Sequence, residues 1–237
     1  MEEVRDSYEV ISTELAKELY RKTNDTLVDY GELALDLIFK DQIVSDIPII
    51  KTLASLCKVG LTIRERFFAR KLLIFLKEYQ QGTIDDEKKQ KFEDSMSNSK
   101  YRQKVADTLM VLIDAFREES KSAILAKLFK RYIDGIYNWE KFIYFSNCLD
   151  ILFLNDTNTL KHYYRIYSEP SYYIYGNSGL HEYKKDKGAL NRLEYLGFLK
   201  SNITQSIDLN RIRIGTATKI ESEIDITDEG KIFFESL

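Results

Sequence analysis

Apolar residues recur three and four positions apart through most of this chain, which is the period of an amphipathic helix. Ile43, Ile47, Ile50, Ala54 and Cys57 form one such face, with Ser45 or Asp46 and Pro48 as a start signal and Gly60 as a stop. Thr62-Ile-Arg-Glu65 reads as a capping box that opens a helix running to Gly82. Its apolar residues are Phe67, Phe68, Leu72, Leu73, Phe75 and Leu76, and its cations are Arg64, Arg66, Arg70, Lys71 and Lys77. A polar, exposed helix is expected within residues 83–98, with a loop ending at Ser99. Helical spacing resumes through Val105, Leu109, Leu112, Ile113 and Phe116, and again through Ile124, Leu125, Leu128, Phe129 and Tyr132. Asn138-Trp-Glu140 opens a helix to Leu154, Asn155-Asp-Thr157 breaks it, and a short helix follows from Thr159 to Tyr167. An acidic helix is expected earlier, from Tyr8 to Phe39.

After Pro170 the pattern changes. Ser171-Tyr-Tyr-Ile-Tyr175 favours a strand, and Gly176-Asn-Ser-Gly179 a turn. A helix over roughly 180–196 places Leu190, Leu193 and Leu196 on its inner face. A hairpin from Phe198 to Ile226 and a final apolar turn after Thr227-Asp-Glu-Gly230 complete the order. This "L-x-x-L-x-x-L-G-F-L" helix, hairpin and "I-T-D-E-G" close look like the end of a winged helix-turn-helix domain. The three helices of that domain would be 139–153, 158–167 and 180–196. The expected architecture is therefore mainly α: a helical bundle over 1–135 joined to a winged helix-like domain with a small β-hairpin wing over 136–237.

Composition sharpens this picture. Only two prolines and ten glycines occur in 237 residues, so long helices meet few breakers. Cys57 and Cys148 lie in apolar surroundings outside any CxxC pair, which suits buried thiols in a reducing compartment. The acidic amino terminus lacks the pattern of a secretory signal, and no run reaches the roughly 18 apolar residues of a spanning helix. A cytoplasmic location is the expectation. A net charge of −3 argues against a surface that coats nucleic acid throughout.

Local charge is polarised. Residues 1–40 hold ten Asp/Glu against five Lys/Arg. Residues 161–219 reverse this, with ten Lys/Arg against five Asp/Glu, and residues 220–237 return to six acids against one Lys. A basic helix and wing beside an acidic terminus suit contact with phosphate or a partner through Lys184, Lys185, Lys187, Asn191 and Arg192 on the helix and Arg211, Arg213 and Lys219 on the wing. The bland alternative is a solvated face. Tyr163, Tyr164, Tyr167, Tyr172, Tyr173 and Tyr175 lie beside Lys161, His162 and Arg165, an arrangement that fits packing or a protein interface better than base stacking. The cationic, Phe-rich stretch 43–77 fits a core hairpin, with adsorption to an anionic membrane as its alternative. Catalysis finds no footing: His162 and His181 have no nucleophile beside them, and no GxxxxGK[ST], GxSxG, HExxH or GxGxxG motif occurs. No cofactor, metal or small-molecule substrate is implied.

A helical front half followed by this C-terminal pattern resembles uncharacterised bacterial and prophage-borne proteins, and is distantly similar to the abortive-infection alpha type. The likeness rests on Ile47-Pro-Ile-Ile50, Ile63-Arg-Glu-Arg66, Leu190 to Leu199 and Ile226 to Phe234. It implies a setting of phage defence or mobile elements and transfers no catalytic residue. The expected function is thus a non-enzymatic binding protein whose winged helix docks a protein or contacts DNA, with self-association or partner contact through the bundle. A membrane-acting effector that inserts its 43–77 helices and a winged-helix transcriptional regulator stand as alternatives.

Overall fold

The computed structural model describes residues 2–20, 48–60, 62–81, 84, 86–169, 186–207 and 218–237. These residues are mainly helical, with one small antiparallel sheet of two strands. In chain order the elements are α1 (Glu2–Tyr20), α2 (Pro48–Gly60), α3 (Ile63–Gln80), α4 (Asp86–Met96), α5 (Ser99–Ala115), α6 (Ser120–Ile133), α7 (Trp139–Ile151), α8 (Asp156–Ser168), α9 (Lys187–Tyr195), β1 (Leu199–Ile207), β2 (Thr218–Ile226) and α10 (Asp228–Phe234). The expected strand at 172–175 and the first part of the helix expected from residue 180 lie outside the described residues, as does the apolar stretch from Leu27 to Ile38.

Local chemistry explains many of the helix limits. Pro48 opens α2, where a missing N–H costs nothing. At Thr62 the capping box is complete: Thr62 N–H donates to the Glu65 carboxylate at 2.7 Å, and Glu65 N–H donates to Thr62 Oγ1 at 3.3 Å. Thr62→Ala is expected to lower stability by about 1 kcal/mol, with α3 fraying first, measurable by urea unfolding and amide exchange. Asn98 caps α5 by accepting from Lys100 N–H at 3.0 Å and Tyr101 N–H at 3.2 Å, which is why the loop expected before Ser99 ends there.

The chain divides into two compact units, Met1–Asp150 and Ile151–Leu237. The sequence suggested a boundary at 135/136, where Gly135 adopts a positive φ of 69°. That glycine forms a tight turn within the first unit. Aromatic packing holds α7 there: Phe142 lies 5.4 Å from Phe129, Trp139 lies 5.3 Å from Tyr132, and Tyr137 lies 5.2 Å from Phe145. The helix expected to begin the winged domain therefore belongs to the bundle, and it ends at Ile151 instead of Leu154.

In the first unit α1 packs on α2 and α5, α3 packs on α5 and α6, and α4 covers α5 and α6. Ile11, Leu15 and Leu19 of α1, Ile49, Ile50 and Leu53 of α2, and Phe68, Leu72, Phe75 and Leu76 of α3 are buried. Among the described residues no helix is long and apolar enough to cross a membrane. Three lysines close helix ends in place of capping glycines. Lys71, only 2% exposed, donates to the Asp114 and Phe116 carbonyls at the end of α5, both at 2.8 Å. Lys130 donates to the Glu78 carbonyl at 2.7 Å and to that of Gln81 at the end of α3, and Lys121 to Asp150 O at 2.9 Å near the end of α7. Those carbonyls lack intrahelical donors and carry the negative end of the helix dipole, so an ammonium satisfies both. Burial pushes the Lys71 ammonium below the usual lysine range, opposed by the nearby Asp114 carboxylate.

In the second unit β1 pairs antiparallel with β2, with Leu199 opposite Ile226 and Ile207 opposite Thr218. The helix α8 packs against α9, α10 and β2. The "L-G-F" segment ends α9 as a Schellman motif: Phe198 N–H donates to Leu193 O at 2.8 Å, Gly197 N–H to Glu194 O at 2.9 Å, and Gly197 takes a positive φ of 72°. The "T-D-E-G" segment starts α10, where Gly230 N–H donates to Thr227 Oγ1 at 3.0 Å and Thr227 N–H to Phe198 O at 3.0 Å. Phe198 and Phe233 are fully buried and stack at 4.5 Å, joining the two motifs.

Candidate binding surface of the second unit

The helix α9 is short, and its placement depends on both ends and one buried face. Asp186 caps its start by accepting from Gly188 N–H at 2.9 Å and Ala189 N–H at 3.1 Å. Ala189, Leu190 and Leu193 are buried. On the opposite side Lys187, Asn191 and Tyr195 are exposed at intervals of four, which lines them along one stripe. Tyr195 is 82% exposed, an unusual position for an aromatic side chain. The stripe carries a cation, an amide and a phenol, and no carboxylate.

Arg192 is placed differently. Its Nε donates to Asp156 Oδ2 at 2.8 Å and an Nη donates to Asp156 Oδ1 at 2.7 Å, forming a two-bond fork. The Asp156 side chain is 1% exposed and Arg192 29%. Asp156 also accepts from Phe153 N–H at 2.9 Å, and the guanidinium sits 4.4 Å from the centre of the Phe153 ring. The hydrogen bond to Asp156 holds the Arg192 guanidinium above even its usual high range. Asp156 lies in the first turn of α8, where a negative charge also complements the helix dipole.

The hairpin brings the two charge classes together. Its register sets Lys200 opposite Asp225, Asn202 opposite Glu223, Thr204 opposite Glu221 and Ser206 opposite Lys219. Lys200 of the basic segment and Asp225 of the acidic segment are thus cross-strand neighbours, and Glu221, Glu223 and Asp225 occupy alternate positions of β2. Asn202 donates to Asp225, and Ser201 bonds the Glu194 carboxylate of α9. Lys200 is exposed.

Of the site residues suggested by sequence, Lys187 and Asn191 lie on the exposed stripe and Arg192 lies in the fork. Lys184, Lys185, Arg211 and Arg213 lie outside the described residues, and for Lys219 only the strand position is described. The tyrosines divide. Tyr163 is buried, Tyr164 meets Phe234 at 4.5 Å and donates to Glu235 at 2.9 Å, and Tyr167 lies 3.7 Å beneath the Lys231 ammonium. Tyr172, Tyr173 and Tyr175 lie outside the described residues. Sequence reasoning passed over Asp156, Phe153 and Tyr195. Asp156 was legible only as a turn residue, and its partner lies 36 positions away.

Among the described residues no group of three or more His, Cys, Asp or Glu side chains is arranged to hold a metal ion. Comparison with protein-family models, curated proteins and solved structures finds no match to this chain.

Proposed function

We propose that the chain is a non-enzymatic binding protein whose second unit works as a winged helix, with α9 as its contact helix for duplex DNA. The order helix, helix, hairpin, short helix supports the winged-helix reading. The carrying observation is the exposed Lys187–Asn191–Tyr195 stripe directly opposite the buried Ala189–Leu190–Leu193 face. A lysine, an asparagine and a tyrosine supply phosphate contacts and, through the amide, a two-point contact to an adenine edge. A setting in phage defence or mobile elements is part of the same proposal.

The test is duplex binding by fluorescence anisotropy across a salt series. Wild type is expected to bind at low salt and to weaken steeply as salt rises. Lys187→Glu should reduce affinity by about tenfold or more, since it removes one phosphate contact and adds a repulsive charge. No detectable duplex binding at low salt would sink the DNA reading.

A second reading, docking of a protein, draws on Tyr195. An exposed tyrosine offers a rigid apolar body with a polar tip. This reading predicts that a partner from the native host co-purifies with wild type and is lost with Tyr195→Ala.

A further inference from the structure

We infer that Arg192 is a positioning residue that seats α9, and not a contact to the partner; this rests on the reading of α9 as the contact helix. Two of its guanidinium nitrogens are occupied by one carboxylate at 2.7 and 2.8 Å, and the Phe153 ring lies against it at 4.4 Å. Withdrawing Arg192 to meet a phosphate would leave the Asp156 carboxylate, 1% exposed, without its counter-charge. A buried charge stripped of its partner is far more unfavourable than one exposed phosphate contact is favourable, so the fork stays closed when the partner arrives.

The geometry assigns the fork a specific task. The helix α9 has nine residues and buries three apolar side chains, too little to hold one orientation by packing alone. The fork ties its last turn to the first turn of α8 through a planar, two-bond junction, which resists both sliding and rotation. Rotation of α9 by one residue would turn the whole Lys187–Asn191–Tyr195 stripe away from its present direction by about 100°. The Asp186 cap at one end and the Schellman turn at the other set the length of the helix, and the fork sets its rotation. Gly188 belongs to the same device: a Cβ there would meet Arg192 Nη1 and Asp186 Oδ1, each at 3.2 Å.

The test compares Asp156→Asn, Arg192→Lys and Lys187→Gln by amide exchange over α9 and by anisotropy with a mixed-sequence DNA duplex across a salt series. A positioning role predicts that Asp156→Asn and Arg192→Lys both speed exchange in α9. It also predicts that both weaken duplex binding by about tenfold, as expected when about a tenth of the molecules keep α9 seated. Their salt slope stays at the wild-type value. Lys187→Gln is expected to leave exchange unchanged and to reduce the slope by about 0.9, the signature of one lost phosphate contact. A contact role predicts the reverse: Asp156→Asn frees the guanidinium and binds as well as wild type or better, and Arg192→Lys keeps affinity because it keeps the charge. Either result overturns the inference. Should Asp156→Asn unfold the whole second unit, the milder Arg192→Lys decides alone. If wild type binds no duplex, the DNA reading fails, and the positioning role stands or falls on the exchange of α9.

Discussion

Replacing Phe129 with alanine is expected to lower the stability of the first unit by about 4–5 kcal/mol, the upper part of the range for deleting a buried phenylalanine. Phe129 is fully buried on α6. Its ring meets Phe75 at 6.2 Å and Tyr79 at 5.8 Å on α3, Phe92 at 5.7 Å on α4, Tyr132 at 5.9 Å on its own helix and Phe142 at 5.4 Å on α7. Four helices thus share one ring. The cavity cannot collapse around the deletion, because each neighbouring ring is held by another: Trp139 lies 5.1 Å from Phe142, and Tyr101 and Tyr132 share a 2.7 Å hydrogen bond between their hydroxyls. Urea unfolding followed by fluorescence of Trp139, the single tryptophan, reads this cluster directly. Val111→Ala, at a site 70% exposed, serves as the contrast and should change stability by less than about 0.5 kcal/mol. A Phe129→Ala loss as small as that of Val111→Ala would mean that the rings repack freely.

Gly230→Ala is expected to be the most damaging small substitution in the second unit. A Cβ at this position would lie 2.2 Å from the Phe198 carbonyl oxygen and 2.9 Å from Ile226 Cγ1. The oxygen belongs to the backbone and already accepts from Thr227 N–H, so no side-chain rotation relieves the clash. Either α10 moves away, breaking the 4.5 Å stack of Phe198 on Phe233, or the hairpin base shifts. The cost is about 3 kcal/mol, at the upper end for overpacking. Amide exchange should show faster opening in β1, β2 and α10, with the amides of Met1–Asp150 at wild-type rates. Unchanged exchange in the hairpin would refute the close packing on which the prediction rests.

Gly230 also shows how far the sequence could be read. Ile226-Thr-Asp-Glu-Gly230 was recognisable as a motif that closes a hairpin and starts a helix. Thr227 does cap α10, and the motif's glycine sits where a backbone carbonyl fills the space of a side chain. Similar local rules marked Pro48 and Thr62, because a cap or a first-turn proline acts on residues only two to four positions away. At Gly135, beside the expected division at 135/136, the chain makes a turn with a positive φ of 69°. The aromatic contacts that bind α7 to α6 involve side chains whose periodicity was visible but whose partners were not.

By itself the sequence determined a mainly helical protein, most helix limits within the described residues, the hairpin near its end and the two charge-biased segments, all of which follow from periodicity and near-neighbour chemistry. Only the tertiary structure decided which charges face solvent. Lys71, grouped by sequence with the cations of α3, is buried as the cap of α5. Arg192, grouped with Lys187 and Asn191, is drawn inward by an aspartate at the start of α8. Lys200, from the segment that reads as basic, lies opposite Asp225 of the acidic segment. The physical reason is common to all three. A charge has no preferred direction along the chain and goes to whichever carbonyl, carboxylate or solvent the fold brings within reach, and that choice is made between residues far apart in sequence.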